Sequence, residues 1–301
     1  MFDAIIVGGG PGGMTAALYL LRSNKTVLIL EKENFGGQIA NSPKLENFPS
    51  IQEISGLDFS DKLFNQITEL GAQFELEEVL EINKEGDVFT VKGNYNTYQS
   101  KVVIIANGVK HRLMNLEHEQ ELIGNGISFC AVCDGPMYKG KDVYLIGDAN
   151  TALQYALLLS NYCTKVHMFT LFDKFFGDQI LIDRLKRKEN ILVKHNMNLI
   201  QYLGEDKLEG LVFEDTQTKE RQEYATDNVF IAIGQVPQNE FLEGLIKLNK
   251  GFIETDEAMR TSIPGLFAAG DTRVKENKQV ITACSDGATA AMGAVKYINT
   301  L

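Results

Sequence analysis

The sequence predicts two doubly wound, nucleotide-binding-type α/β domains, one inserted into the other, and three stretches carry that expectation. DAIIVGGGPGGMTAALYLLRSNKTVLILE, Asp3 to Glu31, reads as apolar strand, glycine turn, helix and strand. KDVYLIGDANTALQYALLLSNYCTKVHMFT, Lys141 to Thr170, repeats the same order about 140 residues later. TSIPGLFAAGDT, Thr261 to Thr272, closes a strand on Gly-Asp ahead of a helix-like run from about Gly287 to Ile298, and reads as the completion of the first domain. The expected division is 1–112 and 241–301 for the first domain and 113–240 for the insert.

Composition narrows the function classes. The chain has 301 residues, 44% hydrophobic and 23% charged, which is ordinary for a globular protein with a sizeable core. A net charge of -11 argues against a nucleic-acid binder and against attraction to anionic membranes, leaving proteins or small molecules as partners. No apolar run approaches the roughly 18 residues that span a bilayer, and the first residues lack a basic leader, so a cytoplasmic chain is expected.

In the first unit, Gly8, Gly10 and Gly13 form G-x-G-x-x-G between strand and helix. Gly8 suits the tight turn, Gly10 lets a pyrophosphate approach the main chain, and Gly13 lets helix and strand pack closely. Glu31 ends the next strand, where an acid can bond a ribose hydroxyl. A bare glycine pattern is met by plain turns, whereas the whole set points to a dinucleotide site, without separating FAD from NAD. FELEEVLEINKEGDVFTVKGNYNTYQSKVVIIANG, from Phe74 on, reads as an antiparallel meander that returns to the first sheet at Val102 to Ala106.

CAVCDG, Cys130 to Gly135, is the most specific chemical signal. A half zinc site or two buried thiols would be the bland meanings, but zinc wants four ligands and no second CxxC or Cys/His cluster follows. Two intervening residues let the sulfurs close a small redox-labile disulfide, and a helix start behind them favours a thiolate. By residue type Asp134 reads as a helix cap. Cys163 and Cys284 stand alone and read as small apolar side chains. His111, His118, His167 and His195 have no ligand spacing.

Together GGGPGG at 8–13, ENFGGQ at 33–38, ENFP at 46–49, IIANG at 104–108, FAAGD at 267–271 and CAVCDG resemble the low-molecular-weight thioredoxin reductase family, in that family's order over nearly the whole chain. The resemblance implies FAD, with contacts at Gly8, Gly10, Pro11, Gly12, Gly13, Glu31, Gly37, Gln38, Asn47, Gly108, Gly270, Asp271, Lys278, Gln279 and Val280. Asn107 replaces the family's usual threonine. The resemblance also implies that Cys133 faces the flavin, that Cys130 attacks the disulfide of thioredoxin with Asp134 as acid and base, and that the protein is a homodimer.

In that family the second βαβ unit binds NADPH. Here Gly147 remains, but Ala149 stands at the next fingerprint glycine, where its methyl crowds a pyrophosphate, and Asp148 would repel phosphates. The family's arginine signature falls on Thr170, Leu171 and Phe172, and its next arginine on Phe176. Three phosphate-pairing cations are gone, each worth about 1.5–3 kcal/mol.

This departure resembles the ferredoxin-dependent flavin thioredoxin reductases. A ferredoxin near -400 mV facing a thioredoxin near -270 mV leaves about 130 mV, roughly 6 kcal/mol for two electrons. Because ferredoxins deliver electrons singly, FAD is the needed converter. The basic run at Arg184, Lys186, Arg187 and Lys188, or the smaller Lys110, His111 and Arg112 group, could dock such an acidic partner, although a solvated helix face is the commoner meaning.

The expectation is therefore an FAD-dependent, NADPH-independent disulfide reductase that acts on thioredoxin and is fed by ferredoxin. Its rivals are an oxygen-using dithiol oxidase, an NADPH-linked reductase with an atypical site, and a redox-responsive binding protein.

Overall fold

The structure, a computed structural model, describes residues 1–42 and 45–301. Strand β1 (Phe2–Val7) is apolar on both faces, and Ala4, Ile5 and Ile6 are wholly buried, as suits a central parallel strand. Helix α1 (Pro11–Arg22) starts from Gly10 with Pro11 in its first turn and carries Arg22 in its last. Strand β2 (Val27–Glu31) lies parallel to β1, with Ala4 opposite Val27 and Val7 opposite Leu30. Helix α2 (Gly56–Glu69) is capped by Ser55, whose Oγ accepts from the Asp58 N–H at 3.0 Å, and leads to β3 (Gln73–Leu76) beside β2.

The meander follows as β4 (Val79–Glu85), β5 (Val88–Gly93) and β6 (Thr97–Ile105). β6 has two partners: its first half pairs antiparallel with β5, and its apolar second half runs parallel to β1, with Ile6 opposite Ile104. The sheet order is therefore β3-β2-β1-β6-β5-β4, and the expected return at Val102 is where β6 joins β1.

Strand β7 (Val109–His111) leads into the second unit, which holds α3 (Glu119–Leu122), β8 (Ile127–Ser128), α4 (Ala131–Asp134), β9 (Asp142–Ile146), α5 (Asn150–Leu159), β10 (Lys165–Phe169), α6 (Gln179–Lys186) and β11 (Ile191–Lys194). An antiparallel trio, β12 (Met197–Leu203), β13 (Gly210–Asp215) and β14 (Arg221–Ala225), precedes β15 (Val229–Ile231). The parallel sheet of this unit runs β11-β10-β9-β15-β8. Its helix-side core gathers Leu145, Leu153, Val166, Met168 and Phe230.

The chain returns through β16 (Gln235–Pro237), a short hairpin of β17 (Leu248–Asn249) and β18 (Phe252–Ile253), strand β19 (Leu266–Ala268) and helix α7 (Val280–Ile298). β19 pairs parallel with β6, completing the seven-stranded first sheet. α7 crosses α1 so closely that a β-carbon on Gly287 would strike the Gly12 carbonyl. The helix begins at Val280, ahead of the Gly287 start expected from the sequence, and its first turns pack Ala283 on Gly12 and bring Cys284 to the Pro11 carbonyl.

The units are Met1–Lys110 with Val236–Leu301, and His111–Gln235. The sequence reading put the passages after 112 and after 240; in the structure they fall at β7 and β16 themselves. Among the described residues no helix is long and apolar enough to cross a membrane, and no group of three or more His, Cys, Asp or Glu could hold a metal.

Candidate active site

The first unit builds a cradle around its glycine turn. Gly8 has φ +107°, and a β-carbon there would lie 2.7 Å from the Asn107 Cα, so turn and neighbouring strand both demand glycine. Gly13 packs on the Gly8 carbonyl with no room for a methyl. Gly10 differs: its β-carbon would meet nothing nearer than the Gly36 carbonyl at 4.0 Å. Protein packing does not require glycine at Gly10, so the space reserved there suits a ligand. No side chain caps α1 and no acid occupies its first turn, so its leading N–H groups face that space. Pro11, Gly12 and Gly13 form that first turn.

Glu31 is tied to the same turn: Oε2 accepts from the Gly9 N–H at 2.7 Å and Oε1 from the Glu33 N–H at 2.8 Å. It lines a cleft of about 430 Å³ with Gly8, Lys32, Asn107 and Gln238. Asn107, at the family's threonine position, donates to the Gln238 carbonyl at 2.8 Å and to Asn239 Oδ1 at 3.0 Å, while its own Oδ1 is buried without a partner. Gly37 and Gln38 open a short 3-10 turn, and Gln38 Nε2 donates to the Val109 carbonyl just beyond Gly108. Asn47 Nδ2 donates to Gln279 Oε1 at 3.2 Å. Gln279 in turn caps α7 in a reciprocal box with Thr282, directly before Val280.

Gly270 and Asp271 follow β19. The Asp271 carboxyl is driven up by burial, against the downward pull of Lys275 and Lys278, and its Oδ1 has no partner. Lys278 lies 3.8 Å from the Phe252 ring centre, and burial brings its amine down to about 8. An inward acceptor lacking a donor, a glycine gap and an uncapped helix start are what a sugar-alcohol hydroxyl and a pyrophosphate need, so the residues fit FAD.

Asp286 carries no sequence signal, yet it holds this region. It accepts from the Gly270 N–H at 3.1 Å, Arg273 Nε at 2.8 Å and Lys275 Nζ at 2.9 Å, and is 7% exposed. The salt-linked cations lie on the loop before α7 and cannot be paired with Asp286 from spacing alone.

The second unit carries the cysteines. Cys130 and Cys133 are joined as a disulfide with Cα atoms 5.3 Å apart. Cys130 caps α4, its Sγ accepting from the Cys133 N–H at 3.2 Å, and both cysteines are partly exposed. Asp134 ends that turn. Burial pushes its carboxyl up while Ser128 Oγ, donating to Oδ2 at 2.6 Å, pulls it down; Oδ1 is buried and unpartnered. Tyr155 braces the strand end by donating to the Phe129 carbonyl at 3.2 Å. Ser128 and Tyr155 had no sequence signal beyond lying near the pair or in the next helix. Burial raises the thiol of Cys163 to about 11 and also raises that of Cys284, so neither is poised to react.

The second glycine turn keeps Gly147 at φ +149° but caps α5 with Ala149, which offers no side-chain bond. The loop after β10 is fastened over it: the Phe176 N–H donates to the Asp148 carbonyl at 2.7 Å and the Asp178 N–H to Asn150 Oδ1 at 2.7 Å. Gly177 sits so close that a β-carbon on it would be 3.3 Å from the Asn150 nitrogen. Thr170 is buried and joined to His195 Nδ1 and the Phe172 carbonyl, both at 2.7 Å. Leu171, Phe172 and Phe176 are exposed, and the two rings meet edge to face at 5.2 Å. Burial raises the Asp148 carboxyl.

Arg184 and Lys186 occupy the exposed last turn of α6, with Arg187 as its C-cap, and Lys188 bonds Asn161 Oδ1 at 2.9 Å. Lys110 is already paired with Glu33, and His111 stacks on Phe129 at 4.5 Å. His167 and His195 make local contacts with Asp142 and Thr170, and His118 lies 3.8 Å from Glu117.

Residues 2–287 match the pyridine nucleotide-disulphide oxidoreductase family. The chain is 40% identical over 301 residues to the thioredoxin reductase of Treponema pallidum, covering 100% of this chain and 98% of that protein. It is 37% identical over 298 residues to a 34.2 kDa protein in the rubredoxin operon of Clostridium pasteurianum, covering 98% and 97% of the two. The solved thioredoxin reductase of Streptococcus pyogenes is similar at a TM-score of 0.94 and 34% identity, over 100% of this chain and 99% of that one. With a disulfide pair in one unit and a glycine cradle fitted to a flavin dinucleotide in the other, the chain belongs to the pyridine nucleotide-disulphide oxidoreductases, and within them to the FAD-binding, low-molecular-weight thioredoxin reductase family.

Proposed function

We propose that this chain reduces thioredoxin through Cys130 and Cys133 with electrons from reduced ferredoxin, and not from NADPH. The carrying observation is the loop over α5: the N–H of Phe176 closes on Asp148 and Gly177 packs on the Asn150 nitrogen, where a pyridine nucleotide's pyrophosphate would have to sit. Ala149 and the apolar Leu171, Phe172 and Phe176 support the same reading, since each withholds room or charge from a nucleotide phosphate.

FAD, when bound, supplies a carrier that accepts electrons singly and passes them on as a pair. Gly8, Gly10, Pro11, Gly12 and Gly13 would hold its pyrophosphate and Glu31 its ribose, while Gly37, Gln38, Asn47, Gly108, Gly270, Asp271, Lys278, Gln279 and Val280 would line the remainder. From the reduced pair onward the chemistry belongs to this chain. The Cys130 thiolate attacks the thioredoxin disulfide, forming a mixed disulfide, and the departing thioredoxin sulfur takes a proton from Asp134. Cys133 then displaces the second thioredoxin sulfur, giving up its own proton, and the Cys130–Cys133 bond re-forms. The pair loses two electrons, and thioredoxin gains two electrons and two protons. A cytoplasmic homodimer accords with the family and with free thiols at Cys163 and Cys284.

The test is an anaerobic absorbance titration of the flavoprotein with NADPH, with NADH, and then with reduced ferredoxin plus thioredoxin. The reading expects bleaching and new thioredoxin thiols with ferredoxin only. Stoichiometric bleaching by NADPH would overturn it in favour of an NADPH-linked reductase. Rapid oxygen uptake with a dithiol, without thioredoxin reduction, would favour a dithiol oxidase.

A further inference from the structure

We propose that Ser128 is a positioning residue for thiol–disulfide exchange: by binding Asp134 Oδ2 and the Cys130 main chain at once, it reserves Asp134 Oδ1 as the oxygen that carries and delivers the proton. This rests on the reading of Asp134 as the acid of the exchange.

The geometry follows from one hydroxyl. Ser128 ends β8 and is 8% exposed. Its Oγ receives the Cys130 N–H at 3.1 Å and lies 2.6 Å from Asp134 Oδ2. A main-chain N–H cannot accept, so the hydroxyl spends a lone pair on Cys130 and its single proton is left for the carboxyl. Were Asp134 protonated on Oδ2 and donating to Oγ, the serine hydrogen would have to turn away, leaving both that hydrogen and Oδ1 buried without a protein partner, whereas donation from Ser128 to Oδ2 leaves only the Oδ1 hydroxyl so. The acid proton therefore belongs on Oδ1, which is buried and without a protein partner. Cys130 is both the attacking cysteine and the residue whose N–H orients the hydroxyl, so Ser128 couples the nucleophile's main chain to the proton donor.

Other titratable groups around Asp134 are Cys130, Cys133, Tyr138, Tyr155 and Tyr162. Burial raises Tyr138 and Tyr162 to about 12 and Tyr155 upward, so all three stay neutral near pH 7. Asp227, which acts on Tyr138, is paired with Lys141 at 3.5 Å. Among the described residues no cation is bonded to Asp134, so the position of its proton is set by Ser128.

In the step concerned, the Cys130–thioredoxin S–S bond forms and the thioredoxin S–S bond breaks. The leaving sulfur takes the electron pair of that bond and the proton from Oδ1, leaving a carboxylate that Ser128 continues to bond.

The experiment uses the FAD-loaded enzyme, reduced with stoichiometric dithionite and mixed anaerobically with one of two disulfides. The first is an oxidised, tryptophan-containing thioredoxin, read by fluorescence because this chain has no tryptophan. The second is an aromatic disulfide such as DTNB, whose leaving thiol is acidic enough to need no proton.

Ser128→Ala is expected to slow thioredoxin reduction about tenfold or more, a fraction of what a positioned proton donor contributes. It should also move the high-pH fall of the rate to higher pH, since a hydrogen bond that favours the carboxylate is lost, and leave the DTNB rate within about twofold. Ser128→Thr, which keeps the hydroxyl, should restore both plateau and profile.

Equal slowing of both disulfides by Ser128→Ala, or no change with thioredoxin, would overturn the proposal. Asp134→Asn separates the two levels. If it leaves the thioredoxin rate and pH profile intact, the acid reading itself fails. If it removes the limb while Ser128→Ala does not move it, Asp134 stands and Ser128 does not.

Discussion

The main-chain N–H of Phe176 is bonded to the carbonyl of Asp148 at 2.7 Å, which pins a loop beginning with exposed apolar residues across the start of α5. If the proposed ferredoxin-linked reading holds, a change at the turn alone should not create a pyridine-nucleotide site. Ala149→Gly is expected to leave the flavin unbleached by millimolar NADPH, because Gly177 still covers the Asn150 nitrogen. Bleaching of that variant under anaerobic titration would show that Ala149 alone had closed the site.

Gly10 and Gly13 differ in what they exclude. Gly10→Ala should leave the protein stable within about 1 kcal/mol, as its methyl meets open space. Its flavin content should nevertheless fall sharply, read as the ratio of flavin to protein absorbance after gel filtration. Gly13→Ala should destabilise by about 1–3 kcal/mol or more through overlap with the Gly8 carbonyl, read by urea denaturation.

Burial alone would raise the Asp286 carboxyl, but its bonds to Arg273 and Lys275 outweigh burial and hold it below its ordinary value of 3.8. A carboxylate depressed on folding contributes stability above its unfolded pKa, and that stability is lost as pH falls through the lower folded value. The loss should thus appear below about pH 4. Asp286→Asn, leaving two partly buried cations uncompensated, should cost about 2–3 kcal/mol at neutral pH and flatten that acid limb, measured by denaturation at several pH values.

Cys130→Ser and Cys133→Ser should each lower thioredoxin reduction by at least about a thousandfold while flavin stays bound, since each removes half of a two-electron couple. Cys163→Ser and Cys284→Ser should leave turnover within about twofold, because burial keeps both thiols protonated. A large loss in either would mean that a second thiol takes part.

Part of this molecule is legible in local sequence for a local reason. The apolar run from Ala4 to Val7, the glycines at 8, 10 and 13, and the two-residue spacing of Cys130 and Cys133 act on their own neighbours, through strand burial, turn geometry and ring size. Strand, cradle and disulfide could therefore be read directly. The absence of cationic side chains at Leu171, Phe172 and Phe176 is equally visible in sequence as missing charge.

Tertiary structure alone decided what stands on long-range hydrogen bonds. The closure of the Phe176 loop joins residues on either side of β10. The Asp286 clamp brings a helix side chain to the Gly270 N–H, and the direction of the Ser128 hydroxyl depends on how the chain turns from β8 into α4. A serine or an aspartate in a sequence offers donors and acceptors in every direction. Only the folded main chain, by leaving one partner within reach and burying the group away from water, selects which bond is made.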